Sequence, residues 1–329
     1  MYKFFEGDFV TFLWITLGVV AFLTVAVLAI SFICYRIAFY APPRKNPDPD
    51  YVPTPRGKLY DPYREQMKKW VLEARAMPSE EFTIKSFDGL TLYARYYEYA
   101  PGAPIELMHH GYRGNAESDL SGGVQRCFLL GQSAFIIDVR CGGKSEGNTI
   151  TFGIRESKDT LAWIDFMIDH FGPDVKIILT GISMGAATVM TAAGEKLPKN
   201  VIGVLADCGF SSPEAIIKKV IKDMKIPPSL AFPFVRLGAR LFGGFDIRES
   251  SAIEAVKRAT VPMIFFHGEA DDFVPSYMSR ECYDACPTRK KLFMVPSAGH
   301  GLAYPVDKEG YLSALRDFWG EEYKKFEEK

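Results

Sequence analysis

Cysteine is scarce and scattered: six in 329 residues, at positions 34, 127, 141, 208, 282 and 286. The closely spaced framework that staples small secreted domains is therefore excluded, and a reducing compartment is expected. No C-x-x-C pair occurs, and no clustered histidines complete a ligand set with Cys282 and Cys286, which would share a helix face, so no metal site is expected. No organic cofactor is implied either. An excess of charge of one sign is also missing. Thirty-nine Lys and Arg stand against forty Asp and Glu for a net charge of -1, with no long basic block, so nothing suggests nucleic acid as a partner. Internal repeats and low-complexity tracts are absent. With 48% hydrophobic and 24% charged residues the composition is that of a folded chain with a sizeable core. The length allows one large domain with an attached segment, or two of ordinary size.

What is present first is a long apolar run. Phe9 to Tyr35 contains no charged residue and is mostly Val, Leu, Ile, Phe and Ala, ample at ~1.5 Å per residue for a hydrocarbon core of ~30 Å. A buried core helix seldom runs so long and so apolar on every face. A cleaved signal peptide has a shorter apolar region after a clearly basic start, whereas here Glu6 and Asp8 balance Lys3 and the amino terminus. Residues 1–40 are thus expected to be a transmembrane anchor, single-pass. Arg36, Arg44 and Lys45 on its carboxyl side, against Lys3 on the other, place the rest of the chain in the cytoplasm by the positive-inside rule.

Residues 41–62 follow, with Pro42, Pro43, Pro47, Pro49, Pro53, Pro55 and Pro62 among polar neighbours, a composition for an extended stand-off. Met67, Trp70, Val71 and Ala74 have helical spacing within Tyr63 to Ala76. Glu81 to Phe87 and Leu90 to Tyr99 read as a hairpin around Asp88-Gly89. Short apolar runs then recur at Ile105 to His109, Ala134 to Asp138, Lys176 to Ile182, Val201 to Asp207, Met263 to His267 and Lys291 to Val295, separated by amphipathic stretches. Strands interleaved with helices predict a mostly parallel sheet covered on both faces, an α/β domain over 63–329. Only the interval from Cys208 to Val261 is too long for a single crossover. Ser212 to Lys225 and Ser229 to Leu241 read as two extra helices, in a cap insertion of about 208–246, before a returning helix near Ser251 to Arg258.

Three segments carry chemistry. Gly181-Ile182-Ser183-Met184-Gly185 follows an apolar strand and opens an Ala-rich helix, the strand-turn-helix setting in which G-x-S-x-G pushes a serine hydroxyl outward; alone, the pentapeptide is equally a glycine-flanked turn with a helix-capping serine. His267-Gly268-Glu269-Ala270-Asp271-Asp272-Phe273-Val274-Pro275 leaves a late strand and sets a carboxylate at its carboxyl end, where open α/β sheets build sites. Pro296-Ser297-Ala298-Gly299-His300-Gly301 places a histidine in a loop among small residues after the last strand. The chain order is Ser, Asp, His.

On these residues the chain resembles the α/β-hydrolase superfamily, in particular membrane-associated serine hydrolases related to prolyl-oligopeptidase-like and acyl-ester-cleaving members, over roughly Glu81 to Trp319. The resemblance implies an α/β-hydrolase fold with a short helical cap. It makes Ser183 the nucleophile, His300 the general base and Asp271 the acid, Asp272 being the neighbouring alternative. His109-His110-Gly111-Tyr112-Arg113-Gly114 is similar to the family's oxyanion segment, which implies backbone N–H donors at Tyr112 and, after the nucleophile, at Met184; His109 and His110 receive no chemical role. Asp138 to Gly147 is similar to the family's D-x-R-G-x-G-x-S-x-G loop, with Cys141 where the family has glycine. The expected enzyme is a serine hydrolase, most simply a carboxylic ester hydrolase, cleaving an ester, thioester or lipid acyl bond of a small-molecule or lipid substrate. A peptidase or amidase is the rival within the class, and a catalytically silent membrane-tethered binding module the rival outside it. Haloalkane- and epoxide-cleaving relatives use an aspartate where Ser183 stands. The cap's apolar residues, among them Leu230, Phe232, Phe234, Val235, Leu237, Leu241 and Phe242, have three open uses: an acyl pocket, contact with lipid, or packing of the cap onto the domain.

Overall fold

The computed structural model describes residues 2–42 and 50–327; Arg44 and Lys45, with Pro43, Pro47 and Pro49, lie outside the described residues, as do the side chains of Lys3, Glu6 and Asp8. Helix α1 (Tyr2–Ala38) is followed by a 3-10 turn (Lys58–Tyr63) and α2 (Arg64–Ala76). The hairpin strands are β1 (Glu80–Lys85) and β2 (Thr91–Tyr97). Strand β1 stops before the expected Phe87 because Ser86 and Asp88 belong to the turn: the Ser86 hydroxyl donates to Asp88 (2.6 Å) and accepts from the Leu90 N–H (2.8 Å).

From there strands and helices alternate as the apolar runs predict. In order they are β3 (Ile105–His109), α3 (Ala116–Leu129), β4 (Ser133–Asp138), α4 (Ile154–Phe171), β5 (Ile177–Ile182), α5 (Met184–Ala192) and β6 (Val201–Asp207). The long interval carries α6 (Pro213–Asp223), α7 (Pro228–Gly238), a π-turn (Ala239–Gly243) and α8 (Ala252–Val256). The chain then returns through β7 (Met263–Gly268), α9 (Tyr277–Ala285), β8 (Lys290–Val295), α10 (Ala303–Val306) and α11 (Lys308–Glu327).

The eight strands form one sheet in the order β1-β2-β4-β3-β5-β6-β7-β8. Only the β1–β2 and β2–β4 pairs are antiparallel. Because side chains alternate across a strand, Ile177 and Leu179 of β5 enter the core under α4, α5, α8 and α9, while Ile178 enters the one under α2 and α11. Burial on both faces explains why these strands read as continuous apolar runs. The pairing His109↔Gly181, Ile182↔Asp207 and Gly268↔Val295 brings the carboxyl ends of the parallel strands to one edge. Every loop with a chemical motif leaves from that edge.

Helix α1 enters the same core. Its outer part, Phe9–Ala38, has the length and hydropathy to cross a membrane and is almost wholly exposed, yet Ser31, Tyr35 and Phe39 are buried. Phe39 packs edge-on against Phe152 (5.7 Å) and Phe245 (5.2 Å). The Tyr35 hydroxyl and Thr149 share a hydrogen bond of 2.8 Å, and Ile150 N–H donates to the Phe39 carbonyl at 2.8 Å. No break in packing falls between this helix and the α/β layers.

Candidate active site

Ser183 sits between β5 and α5 with φ 57 and ψ -116, a conformation costly for a residue with a side chain and held here by its surroundings. Its N–H donates to the Asp207 carbonyl at 2.8 Å. The flanking glycines are dictated by close approach: a Cβ on Gly181 would overlap the Gly185 backbone, and one on Gly185 would overlap the His109 carbonyl. Turn, strand end and helix start are thus pressed together, and the hydroxyl is turned toward the loops that follow β7 and β8.

There the His300 Nε2 lies 2.9 Å from the Ser183 Oγ, and its Nδ1 lies 2.7 Å from Asp271 Oδ2. A carboxylate only accepts, so Nδ1 carries the proton and Nε2 is left to accept from the serine hydroxyl. All three side chains are buried. Asp271 Oδ1 accepts from the N–H groups of Phe273 (3.0 Å) and Val274 (2.8 Å). Burial alone would push the Asp271 carboxyl up, but hydrogen bonds from His267, His300 and the Val274 N–H outweigh it and hold the group down at about 2. The neighbouring Asp272 is exposed, and its backbone carbonyl accepts from Lys219 of the cap.

A second histidine stands behind the carboxylate. His267 Nε2 donates to the Val274 carbonyl (2.8 Å) and lies 3.2 Å from Asp271 Oδ2, while the Ser279 hydroxyl, 2.7 Å from Nδ1, fixes the ring. The sequence signals it only as the first letter of the segment that contains Asp271. Also unforeseen is Cys208, buried at the end of β6, whose sulfur is within 4.8 Å of ligand atoms of Asp271 and His300. Burial pushes its thiol well above the ordinary value, so it stands beside the pair as a neutral group.

The loop after β3 passes over the serine: a Cβ on Gly111 would lie 3.6 Å from that of Ser183. Tyr112 follows it, and Met184 opens α5, where the first N–H groups have no acceptor within the helix. His109 and His110 have structural partners. His109 is fully buried between Thr160 (2.9 Å) and the Thr180 carbonyl (3.1 Å), and burial draws its pKa down to about 4. His110 Nδ1 donates to the Gly111 carbonyl (2.8 Å) and Nε2 accepts from the Val139 N–H (3.0 Å), tying the loops after β3 and β4 together. In the latter loop Cys141 has φ 67, the left-handed conformation that the family's glycine adopts without strain. Asp138 steadies both loops by accepting from the N–H groups of Ala116 (2.9 Å) and Lys144 (2.7 Å).

Two elements from the amino-terminal region complete the wall. The Tyr112 hydroxyl donates to the Ala38 carbonyl (2.8 Å), and Arg113 donates to the carbonyls of Ile37 (2.8 Å) and Tyr40 (3.0 Å), so the last turn of α1 is capped by the oxyanion-type loop. The 3-10 turn after the proline-rich stretch lays Leu59 against Gly299 and points the Tyr60 hydroxyl at Gly301, on either side of His300. Burial pushes the Tyr60 phenol above its ordinary value.

Comparison with known proteins places this geometry in context. A family model described as the alpha/beta hydrolase fold matches residues 107–250. The chain is 24% identical over 302 residues to the protein YqkD of Bacillus subtilis, covering 90% of this chain and 94% of that one. Protein bem46 of Schizosaccharomyces pombe is 27% identical over 253 residues, 74% of this chain and 78% of its own. An uncharacterized membrane protein of Saccharomyces cerevisiae is 29% identical over 190 residues, 57% and 61% of the two chains. Among solved structures, the Pyrococcus furiosus esterase Pf2001 superposes with a TM-score of 0.62 at 22% identity, over 83% of this chain and 97% of that one. Est1E from Butyrivibrio proteoclasticus with ferulic acid bound gives 0.57 at 20% identity, over 74% and 99%. At these identities the superpositions establish the fold.

Proposed function

The chain belongs to the α/β-hydrolase superfamily, and from that premise we propose that it is a serine hydrolase acting on an ester, thioester or lipid acyl bond. The observation that carries the reading is the unbroken hydrogen-bonded series Ser183–His300–Asp271 on a strained strand-to-helix turn. A serine hydroxyl is a weak nucleophile at neutral pH, so His300 Nε2 takes its proton as Oγ attacks the carbonyl carbon. Asp271, kept ionised, holds the imidazole tautomer and stabilises the imidazolium. The N–H groups of Tyr112 and Met184 meet the negative charge on the carbonyl oxygen, each donor being worth about 10²–10³ in turnover. His300 then protonates the leaving group, and water, deprotonated by the same nitrogen, releases the acyl group from Ser183. His267 is a positioning residue for Asp271.

Esters are favoured over amides because two of the similar solved structures are esterases by description. Helix α1 crosses the membrane once, in this reading, with the catalytic domain in the cytoplasm. The chemical test is a pre-steady-state assay of the detergent-solubilised full chain on nitrophenyl esters and thioesters of graded chain length, with aminoacyl amides alongside. A burst of alcohol or thiol release is expected on acyl substrates. Turnover of the amides alone selects the peptidase reading, and no turnover of any selects the binding module. The topological test is protease added to sealed cells, which should leave the domain whole until the membrane is opened; digestion in the sealed sample reverses the orientation.

A further inference from the structure

The cap does not sit apart from the apolar helix. A Cβ on Gly238 of α7 would overlap the Ser31 carbonyl of α1, so the two backbones touch there. One turn on, Phe242 packs against Phe32 (5.1 Å) and Tyr35 (6.1 Å). As α1 advances from Ser31 to Tyr35 its neighbour advances from Gly238 to Phe242, so the two helices run in the same direction. Tracing α7 backwards from Gly238 to Leu230 therefore moves up to about 12 Å toward the part of α1 that enters a membrane. The segment before Ser31, Phe9 to Ile30, still reaches about 33 Å, sufficient for a hydrocarbon core. The last turns of α1 can thus belong to the domain without shortening the span.

The residues set at that level are apolar and exposed. Leu230 is 63% exposed, Met224 58% and Leu241 54%. Lys222 and Lys225 beside Met224 are exposed too. In water such a surface is costly, whereas at a bilayer the side chains enter the headgroup and acyl boundary while the lysines meet anionic headgroups.

We propose that the cap is a second membrane contact: the α6–α7 tip, with Met224, Ile226 and Leu230, and the π-turn with Leu241 and Phe242, rest on the bilayer that α1 crosses, with Lys222 and Lys225 among anionic headgroups. This rests on the reading of α1 as a membrane span. The partner is a lipid surface, and the argument for it is continuity, since Phe242 is in contact with a residue of the span itself. Lys219 of α6 bonds to the backbone of the Asp271 loop, so the seated cap also fixes the position of the loop beside His300.

The test uses the full chain in phosphatidylcholine–phosphatidylserine vesicles. Cys34 is replaced by serine; the other native thiols are buried. Single cysteines at Phe22→Cys on the span, Leu230→Cys on the cap, and Leu129→Cys at the far end of α3 are labelled with bimane and challenged with doxyl-labelled lipid. The expected result is a loss of about half the emission at Leu230→Cys, comparable with Phe22→Cys, and little change at Leu129→Cys. Quenching at Phe22→Cys with none at Leu230→Cys overturns the seating and leaves the span standing. No quenching at either removes both, and equal quenching at Leu129→Cys shows the signal to be non-specific and overturns the assignment of the cap face.

Discussion

Two regions meet at the candidate site, and they are built on different rules. The strand-end region holds Ser183, Asp271 and His300 on short loops whose shape is forced by backbone contact, as at Gly181 and Gly185. The wall above it is assembled from distant pieces of chain: the end of α1, the 3-10 turn at Lys58–Tyr63, and the cap. The first region performs the proposed chemistry with local sequence. In the second, residues that resemble anchor and linker are part of the domain. An apolar amino-terminal helix is therefore not automatically a detachable tether, and what decides it is whether its last turns carry buried side chains.

The sharpest contrast lies within the strand-end region, between adjacent carboxylates. Asp271→Asn should lower turnover by about 10⁴, because the amide would favour the wrong imidazole tautomer, while Asp272→Asn should leave it within a few-fold. Initial rates on an activated ester decide this, and the reverse ranking would move the acid by one residue.

For the wall, the test is stability. Phe39 is fully buried though it directly follows the apolar helix, so Phe39→Ala should destabilise the domain by about 3–5 kcal/mol, as for a core aromatic. A residue in a free tether would show almost nothing in the same thermal or denaturant melt. Arg113→Ala should act more gently. It releases the loop of Tyr112 from the end of α1, so kcat should fall by about tenfold with KM little changed, since oxyanion stabilisation is felt in the transition state. An equal rise in KM with constant kcat would assign Arg113 to substrate binding instead.

Most of the strand-end region is legible in the sequence because each motif lies within a few residues of an apolar run, and loops after parallel strands converge on one edge whatever the rest of the chain does. The wall is not. The proline-rich composition before Lys58 correctly marks chain that forms no long element, but the burial of Tyr60 beside Gly301 is a tertiary fact without a local signal. Tyr35 and Phe39 simply continue an apolar pattern, so periodicity does not reveal where membrane ends and core begins. Cys208 and His267 escape for a related reason: each acts through a neighbour remote in sequence.

The smallest effect is electrostatic and compares two buried carboxylates at neighbouring strand ends. Asp207 is pushed up to about 6 by burial, against the opposing hydrogen bond from Tyr311 and the charges of His267, Arg126 and His300. Its folded pKa lies above the unfolded value, so the folded state binds the extra proton and stability falls as pH rises from about 4 to about 6. Asp207→Asn should flatten that window, by on the order of 2 kcal/mol. Asp271, held at about 2, has the opposite sign. Its contribution is present above the unfolded value of about 4 and is lost as pH falls toward 2, so Asp271→Asn should leave the pH 4 to 6 slope in place. Melting midpoints across pH 2 to 7 for the three proteins separate the two.

The central claim is that the geometry around Ser183 activates its hydroxyl, and labelling with a fluorophosphonate reads this most directly. The full chain, treated at neutral pH and digested, should yield a single adduct on the peptide containing Ser183; Ser183→Ala should fold with an unchanged melting temperature and yield none. Equal labelling of the variant, or an adduct on another residue of the native protein, would contradict the account.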